Sequence, residues 1–267
     1  MSDASGFQIG RDASSFYETH VSRFMAPFVE ALVTRTVSAG SSVLDVACGT
    51  GFATRAAAAV AGSGARIEGL DLNPSMLDRA RLVPDDSGAE LRWRKASALA
   101  LPYEDSTFDA VICQQGLQFF PDPGAGIKEM ARVARDGGRL GATVWSGVDD
   151  TPFLQRETQM LARHGGELHA EFSATEQALR AWFSHEGVDD VSVELITVDI
   201  ELPPVQAYVP EHLRALPWSA SFFRLSVAQQ AAALVELDDH LAEYRTDEGI
   251  RVPFSSYLVT ATCRSHR

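Results

Sequence analysis

Cysteine, long apolar runs and positive charge are all scarce in this sequence of 267 residues. The three cysteines, Cys48, Cys113 and Cys263, form no Cys-x-x-Cys pair, which excludes a zinc ribbon and a disulfide framework and favours a reducing compartment. The longest apolar stretch, 56–61, is far too short to span a bilayer, and no run of signal-peptide length occurs near residue 1. We therefore expect a cytoplasmic protein that does not act at a membrane.

The charge balance of the sequence disfavours some classes of binding partner. There are 23 lysines and arginines against 36 aspartates and glutamates, a net charge of −13. Such an excess of acid disfavours nucleic acid and anionic lipid, which both need a cationic surface. The seven histidines form no pair with the spacing of metal ligands, so we expect no metal. We expect a small-molecule substrate and a chain that is a monomer or a homodimer.

Short apolar segments alternate with helical patterns from about residue 42 to residue 165, which predicts parallel strands joined by helices in an α/β fold. Beyond that point the pattern predicts further helices and a long alternating strand, Val191–Leu202. Two helical patterns, at 205–216 and 226–245, then precede a last strand, Ser255–Cys263. The prediction is a doubly wound, mostly parallel, Rossmann-like sheet of seven strands. The seven predicted strands are 42–46, 66–70, 91–95, 108–114, 139–145, 191–202 and 255–263.

A glycine-rich turn follows the first predicted strand, in the segment VLDVACGTGFATRAA (43–57). Glycine at positions 49 and 51 lets a ligand approach the backbone, and the N–H groups at the start of the following helix attract an anionic group. Asp71 ends the second strand, and in doubly wound sheets an acid about 20 residues after the turn accepts hydrogen bonds from a ribose. The two features together predict a site for a nucleoside-containing cofactor.

Two details distinguish between cofactors. A dinucleotide fingerprint needs a third glycine, and Thr54 stands in its place. Asp45 precedes the turn, where a carboxylate repels a pyrophosphate but suits an ammonium or sulfonium group. These residues disfavour a nicotinamide-dependent dehydrogenase, which nevertheless stays open as an alternative.

The same segment resembles the first motif of class I S-adenosylmethionine-dependent methyltransferases, with Ala47 where the family's first glycine stands. GLDLNPSMLDRAR (69–81), KASALALPYEDSTFDAVICQQGLQFFPDP (95–123) and EMARVARDGGRLGATVW (129–145) resemble the motifs that follow in that family, in order. The most similar type acts on small molecules in ubiquinone and menaquinone biosynthesis. The resemblance implies S-adenosyl-L-methionine as cofactor and S-adenosyl-L-homocysteine as product.

The resemblance also assigns roles to residues. Asp45 and the turn hold the methionine part, Asp71 takes the ribose hydroxyls, and Ser97 stands where the family often has an acid. The residues that it implies for cofactor binding are Asp45, Ala47, Gly49, Gly51, Asp71, Leu72, Met76, Ser97, Ala98, Leu99 and Gln114. It implies three parts of the chain: an N-terminal lid at 1–40, a cofactor-binding core at 41–204 and 251–267, and a helical substrate cap at 205–250.

Methyl transfer from a sulfonium needs alignment and exclusion of water more than a cluster of catalytic groups. His20, on the presumed lid beside Tyr17, is the best candidate for a base, and Tyr17 is the second catalytic candidate. Aromatic and amide side chains of the lid, of the loop after the fourth strand and of the insert are candidates for a substrate chamber. The predicted substrate residues are Phe16, Phe24, Gln115, Leu117, Gln118, Trp145, Tyr208, Trp218 and Phe222.

The prediction for function is S-adenosylmethionine-dependent methyl transfer to an oxygen, nitrogen or carbon atom of a small apolar or aromatic metabolite, as in secondary metabolism. One alternative keeps the fold and the bound cofactor but uses them without methyl transfer, in a cyclisation or as a partner protein. A dehydrogenase that uses Asp71 on a ribose is the other.

Overall fold

One sheet of seven strands organises the structure, a computed structural model that describes residues 11–164, 173–216 and 219–264. The order across the sheet is β3-β2-β1-β4-β5-β7-β6. Strands β1 to β5 are parallel, and β7 runs antiparallel to both of its neighbours. The strands are β1 (Val43–Val46), β2 (Arg66–Asp71), β3 (Glu90–Lys95), β4 (Phe108–Gln114), β5 (Ala134–Trp145), β6 (Val188–Leu202) and β7 (Ile250–Cys263). The predicted doubly wound, mostly parallel sheet is confirmed.

Helices cover both faces of this sheet, and a π-helical turn (Tyr17–Val21) joins the first two of them. The helices are α1 (Arg11–Phe16), α2 (Ser22–Thr36), α3 (Phe52–Ala61), α4 (Pro74–Leu82), α5 (Pro123–Val133), α6 (Pro152–Arg163), α7 (Glu176–Trp182), α8 (Val205–Arg214), α9 (Ala220–Phe223) and α10 (Val227–His240). No helix in these ranges combines the length and the apolar character needed to cross a bilayer.

Helix starts follow the side chains that the sequence provides for capping. Asn73 accepts a hydrogen bond from the Ser75 N–H at 2.9 Å, with Pro74 in the first helical position. Asp122 does the same for α5 by accepting from the Ala125 N–H at 2.9 Å. These caps fix where α4 and α5 begin, and therefore the two loops that open onto the site.

Two predicted boundaries are wrong. The strand predicted to begin at residue 139 begins at Ala134, and it passes through Gly137 and Gly138 with an irregularity in its pairing with β4. The last strand begins at Ile250 rather than at Ser255, in spite of Pro253. Residues 251–254 pair with β6 and not with β5, so β7 has a neighbouring strand on one side only at Pro253, where a proline is tolerated.

Helices α8 to α10 lie between β6 and β7 and share one apolar core with the N-terminal helices. Phe222 and Leu237 of this insert are buried in the same cluster as Phe28 and Leu32 of α2. A second cluster lies on the other face of the sheet, beneath α5 and α7. The insert therefore packs as part of the main body.

Candidate active site

A cavity of about 260 Å³ lies where β1, β2 and β4 end at their carboxyl termini, the edge at which open α/β sheets bind ligands. The turn after β1, Asp71 at the end of β2 and Gln114 at the end of β4 all reach it. The sequence-predicted residues that line it are Tyr17, Ala47, Gly49, Asp71, Leu72, Met76, Ser97, Ala98, Leu99, Gln114 and Gln115. Asp45 and Gly51 are buried and lie outside that wall.

The two glycines of the turn have different surroundings: open space at Gly49 and a protein side chain at Gly51. Both have a positive φ, 56° at Gly49 and 83° at Gly51. A Cβ on Gly49 would meet no atom within 4 Å, so this glycine leaves open space at the cavity. A Cβ on Gly51 would lie 2.2 Å from the indole of Trp93, so this glycine admits a protein side chain instead. The turn is therefore open towards the cavity and supported from behind by Trp93.

Ala47, in the first glycine's place, also adopts a left-handed backbone, with φ of 58°. A residue with a Cβ loses about 1–2 kcal/mol in that conformation. Its methyl group stands over Gly116, where an added Cβ would come within 2.7 Å of it. The strained alanine and the glycine opposite are thus matched, and both line the cavity.

Asp71 is held by backbone N–H groups. Its Oδ2 accepts from the Gly49 N–H at 2.8 Å and its Oδ1 from the Asn73 N–H at 2.7 Å. Burial raises the pKa of Asp71, while these N–H bonds lower it again. The carboxylate is therefore fixed at the cavity wall, and it has lone pairs left for a ligand's hydroxyl groups.

Asp45 and Thr50 carry buried oxygens that lack partners among the described residues. Asp45 Oδ2 accepts from the Thr54 hydroxyl at 2.6 Å, while its Oδ1 has no hydrogen bond. Burial raises the pKa of Asp45 to about 7. The Thr50 hydroxyl is also without a partner, and Thr50 lines the cavity beside Gly49. A free hydroxyl, bare backbone and nearby acids fit the carboxylate and ammonium of a methionine moiety.

The remaining predicted cofactor residues form the far wall. Leu72 and Met76 contribute an apolar surface that suits the face of an adenine ring. Ser97, in the position of the family's acid, uses its hydroxyl to accept from the Leu99 N–H at 3.2 Å. Its hydroxyl can still donate to a ring nitrogen.

Tyr17, Met25 and Gln114 meet at the wall opposite the turn. The Tyr17 hydroxyl lies 3.8 Å from the Met25 sulfur, and Gln114 Nε2 lies 3.3 Å from the same atom. Burial, followed by the charge of Asp71, raises the pKa of Tyr17. Its phenol therefore stays protonated at neutral pH, and a catalytic role for Tyr17 stays a prediction.

The structure does not bring His20 to the cavity wall formed by the described residues. Its ring lies beside Phe16, with centroids 6.3 Å apart, and its backbone oxygen accepts a hydrogen bond from the Tyr208 hydroxyl at 3.0 Å. A catalytic role for His20 stays a prediction. What the structure shows is a backbone contact between its turn and α8.

The predicted substrate residues separate into distinct places. Gln115 lines the cavity, and its amide is held between Gln118 and Ser256. Phe24 and Trp145 stack with centroids 6.0 Å apart in the core that also contains Tyr208 and Phe222, and Phe16 packs against that core. Leu117 is buried in the cluster on the other face. Trp218 lies outside the described residues.

Several residues of the site have no signal in the local sequence. Met25 reaches the cavity only because α2 packs over the sheet, and Trp93 reaches Gly51 because β3 pairs with β2 beside Gly69. Thr50, in contrast, lies within the glycine motif, so the sequence itself indicates it. Within the described residues, no group of three or more histidine, cysteine, aspartate or glutamate side chains is arranged to hold a metal ion.

Residues 44–142 match a protein family described as "Methyltransferase domain". The fold, the cavity at the strand ends and this match agree with the resemblance seen in the motifs: residues 44–142, more than a third of the chain, are similar to a methyltransferase domain. The resemblance drawn from the sequence motifs is confirmed.

Relatives similar in sequence match this chain over only part of its length and part of their own. An uncharacterised protein of Mycobacterium tuberculosis is 37% identical over 131 residues, 49% of this chain and 47% of that protein. The ubiquinone/menaquinone biosynthesis C-methyltransferase UbiE of Hahella chejuensis is 40% identical over 106 residues, 39% of this chain and 43% of that enzyme. The chain thus matches less than half the length of these curated relatives.

Solved structures share the fold over most of the chain. The YcgJ protein of Bacillus subtilis has a TM-score of 0.58 at 18% identity and covers 89% of this chain and 98% of its own. Phosphoethanolamine N-methyltransferase 2 of Haemonchus contortus, solved with S-adenosyl-L-methionine, has a TM-score of 0.53 at 16% identity and covers 90% of this chain and 53% of its own. At these identities the likeness concerns the fold alone.

Proposed function

We propose that this chain is an S-adenosylmethionine-dependent methyltransferase that acts on an oxygen, nitrogen or carbon atom of a small, largely apolar or aromatic metabolite. The observation that carries the proposal is the cradle at the end of β1. Open space over Gly49, the unpartnered Thr50 hydroxyl and the fixed Asp71 carboxylate face one cavity. An aminoacyl nucleoside has groups that match each of these.

The protein's part in the reaction follows from these residues. When bound, S-adenosyl-L-methionine supplies a methyl group that is already activated by its sulfonium. Asp71 and the turn orient the ligand, and Asp45 places a carboxylate near its cationic end. Tyr17, as a protonated phenol beside Met25, closes the chamber and is able to donate a hydrogen bond. Alignment and exclusion of water are the contributions that this chain makes.

Two observations favour an apolar or aromatic substrate. Phe52, Phe119 and Phe120 line the cavity together with Met25, and flat apolar walls bind flat apolar molecules. Relatives 40% identical over about 40% of the chain are named as a ubiquinone/menaquinone C-methyltransferase and a demethylmenaquinone methyltransferase. Both names concern quinones, which are flat and largely apolar.

The test is transfer of label from methyl-labelled S-adenosyl-L-methionine to a panel of phenols, hydroxyquinones and aromatic amines by the full chain. We expect labelled product and S-adenosyl-L-homocysteine in equal amounts for at least one class. The Asp71→Asn variant serves as the control and should release much less of both at a cofactor concentration that does not saturate it. Binding of the cofactor with no transfer to any compound would favour the alternative use of the cofactor without methyl transfer.

A further inference from the structure

A well-enclosed ion pair joins the π-helical turn to the helix that follows the cofactor turn. Arg55 Nη2 lies 2.6 Å from Glu18 Oε1, and each side chain is only 13% exposed. For comparison, Arg35 and Glu194, which also connect an N-terminal helix to the sheet, are 45% and 51% exposed. Exposed pairs contribute little to stability, whereas an enclosed pair is costly to break because one charge is left without its partner.

The same guanidinium also holds the cofactor turn. Arg55 Nη1 donates to the Thr50 backbone oxygen at 2.9 Å, while Nη2 reaches Glu18. Thr50 and Tyr17, the residue next to Glu18, both line the cavity. Arg55 therefore connects the cofactor turn to the π-helical turn through a single planar group, a geometry that the fork of arginine allows and a lysine does not.

The π-helical turn is fastened from a second side as well. The Tyr208 hydroxyl of α8 donates to the His20 backbone oxygen at 3.0 Å. Isolated π-helical turns are rare and are often found at functional sites. Fixed at Glu18 and at His20, this turn holds Tyr17, the residue next to Glu18, at the cavity wall.

We propose that Glu18 and Arg55 are positioning residues that hold Tyr17 over the bound cofactor and tie the closed position of the N-terminal segment to the shape of the cofactor turn. The inference rests on the proposed function, since the ligand that it concerns is S-adenosyl-L-methionine or its product. Neither residue touches the reacting atoms. Both act through Tyr17 and Thr50.

The first measurement is the dissociation rate of S-adenosyl-L-homocysteine from the full chain, by stopped-flow displacement. Glu18→Gln and Arg55→Gln should each raise that rate about ten-fold, equivalent to about 1.4 kcal/mol. The double variant should be no faster than Arg55→Gln alone, because Arg55→Gln already removes the contact that Glu18→Gln removes. Arg55→Lys keeps the charge but cannot span both partners, so it should also dissociate faster. Glu194→Gln, at the exposed pair, is the matched control and should leave the rate unchanged.

A second readout separates positioning from a general structural role. The KM for S-adenosyl-L-methionine should rise in Glu18→Gln while kcat changes less. Because breaking the enclosed pair also lowers the melting temperature, both constants are measured at a temperature where the variant is folded. Hydrogen exchange of the amides in 17–21 should slow when S-adenosyl-L-homocysteine binds to the wild-type chain. This measurement decides the matter even if a variant fails to fold, since absence of added protection in the wild type overturns the inference.

The outcomes distinguish the two proposals. No binding of S-adenosyl-L-homocysteine by the wild-type chain overturns the proposed function and, with it, this inference. Binding by the wild type with unchanged dissociation rates in Glu18→Gln and Arg55→Gln overturns the inference alone. Faster dissociation that is additive in the double variant also overturns it, because independent effects would show that the two side chains do not act as a pair.

Discussion

Two regions of the molecule use their residues in opposite ways. The first is the half of the sheet formed by β1 to β5. The second consists of the N-terminal helices and the described part of residues 146–264. In the first, local motifs place polar groups around a cavity, as Asp71 and the turn at Gly49 do. In the second, aromatic side chains from distant parts of the chain pack on one another: Phe24 lies 5.1 Å from Phe254 between ring centroids. The comparison shows that richness in aromatic residues alone does not mark a substrate chamber.

Removing a large side chain from the second region should produce the largest effect on stability. Phe222 is 1% exposed, so Phe222→Ala should lower the free energy of unfolding by about 3–5 kcal/mol. The KM for the methyl acceptor and the affinity for S-adenosyl-L-homocysteine should stay the same at a temperature where the variant is folded. Urea denaturation and steady-state kinetics measure the two. A raised acceptor KM would instead place Phe222 at the substrate, as the sequence predicts, and would break the comparison.

The two glycines of the turn sharpen the comparison within the cofactor half. Gly51→Ala should cost about 3 kcal/mol of stability, because the left-handed backbone and the overlap with Trp93 add. Gly49→Ala should cost only the backbone part, about 1–2 kcal/mol, but should weaken cofactor binding by filling the open space. Denaturation curves and calorimetric titration of both variants give the answer. Equal losses of stability would contradict the assignment of Trp93 as the support of the turn.

Asp71→Asn tests the cofactor half by affinity. A hydrogen bond to a charged group contributes about 1.5–3 kcal/mol, so the variant should bind S-adenosyl-L-homocysteine about 100-fold more weakly. The asparagine keeps the size of the side chain and one acceptor for the turn. Asp86→Asn, at an exposed position, is the control and should bind as the wild type does. An Asp71→Asn variant of unchanged affinity would remove the ribose role from this residue.

Asp45 predicts an effect of another kind, a pH dependence of stability. Its pKa in the folded chain is raised to about 7, above the ordinary value of 3.8, chiefly by burial. A raised pKa means that the unfolded chain loses this proton first, so the contribution of Asp45 is fully present below about pH 4 and is lost as the pH rises through about 7. Relative to Asp45→Asn, the wild type should lose stability steadily as the pH rises between those values. Parallel stability curves of the two proteins would show that the carboxyl ionises normally.

The division between these two regions also separates the features that the sequence predicts from those that it does not. The turn, Asp71 and the Asn73 cap are predictable because strand, turn and helix are contiguous in the chain, and local chemistry decides them. The contacts of Met25 and Trp93 depend on how α2 and β3 are placed in the fold, and the bridge from Arg55 to Glu18 joins residues on separate helical elements. Substrate residues were predicted from composition, which does not distinguish an aromatic residue in a wall from one in a core.

The boundaries that were wrong have local causes of their own. Proline is typical of the end of a strand, but Pro253 lies within β7, where that strand has a neighbour on one side only. A pair of glycines such as Gly137 and Gly138 is typical of a turn, but β5 continues through them with an irregular register. In both cases the position of the strand in the sheet, which the sequence does not state, overrides the propensity of the residue.

Calorimetric titration of the full wild-type chain with S-adenosyl-L-methionine, S-adenosyl-L-homocysteine and NAD, under one set of conditions, tests the central claim most directly. The cradle at Gly49, Thr50 and Asp71 predicts one site per chain for each of the two sulfur compounds and no heat with the dinucleotide. Heat with NAD alone would contradict this account of the cavity.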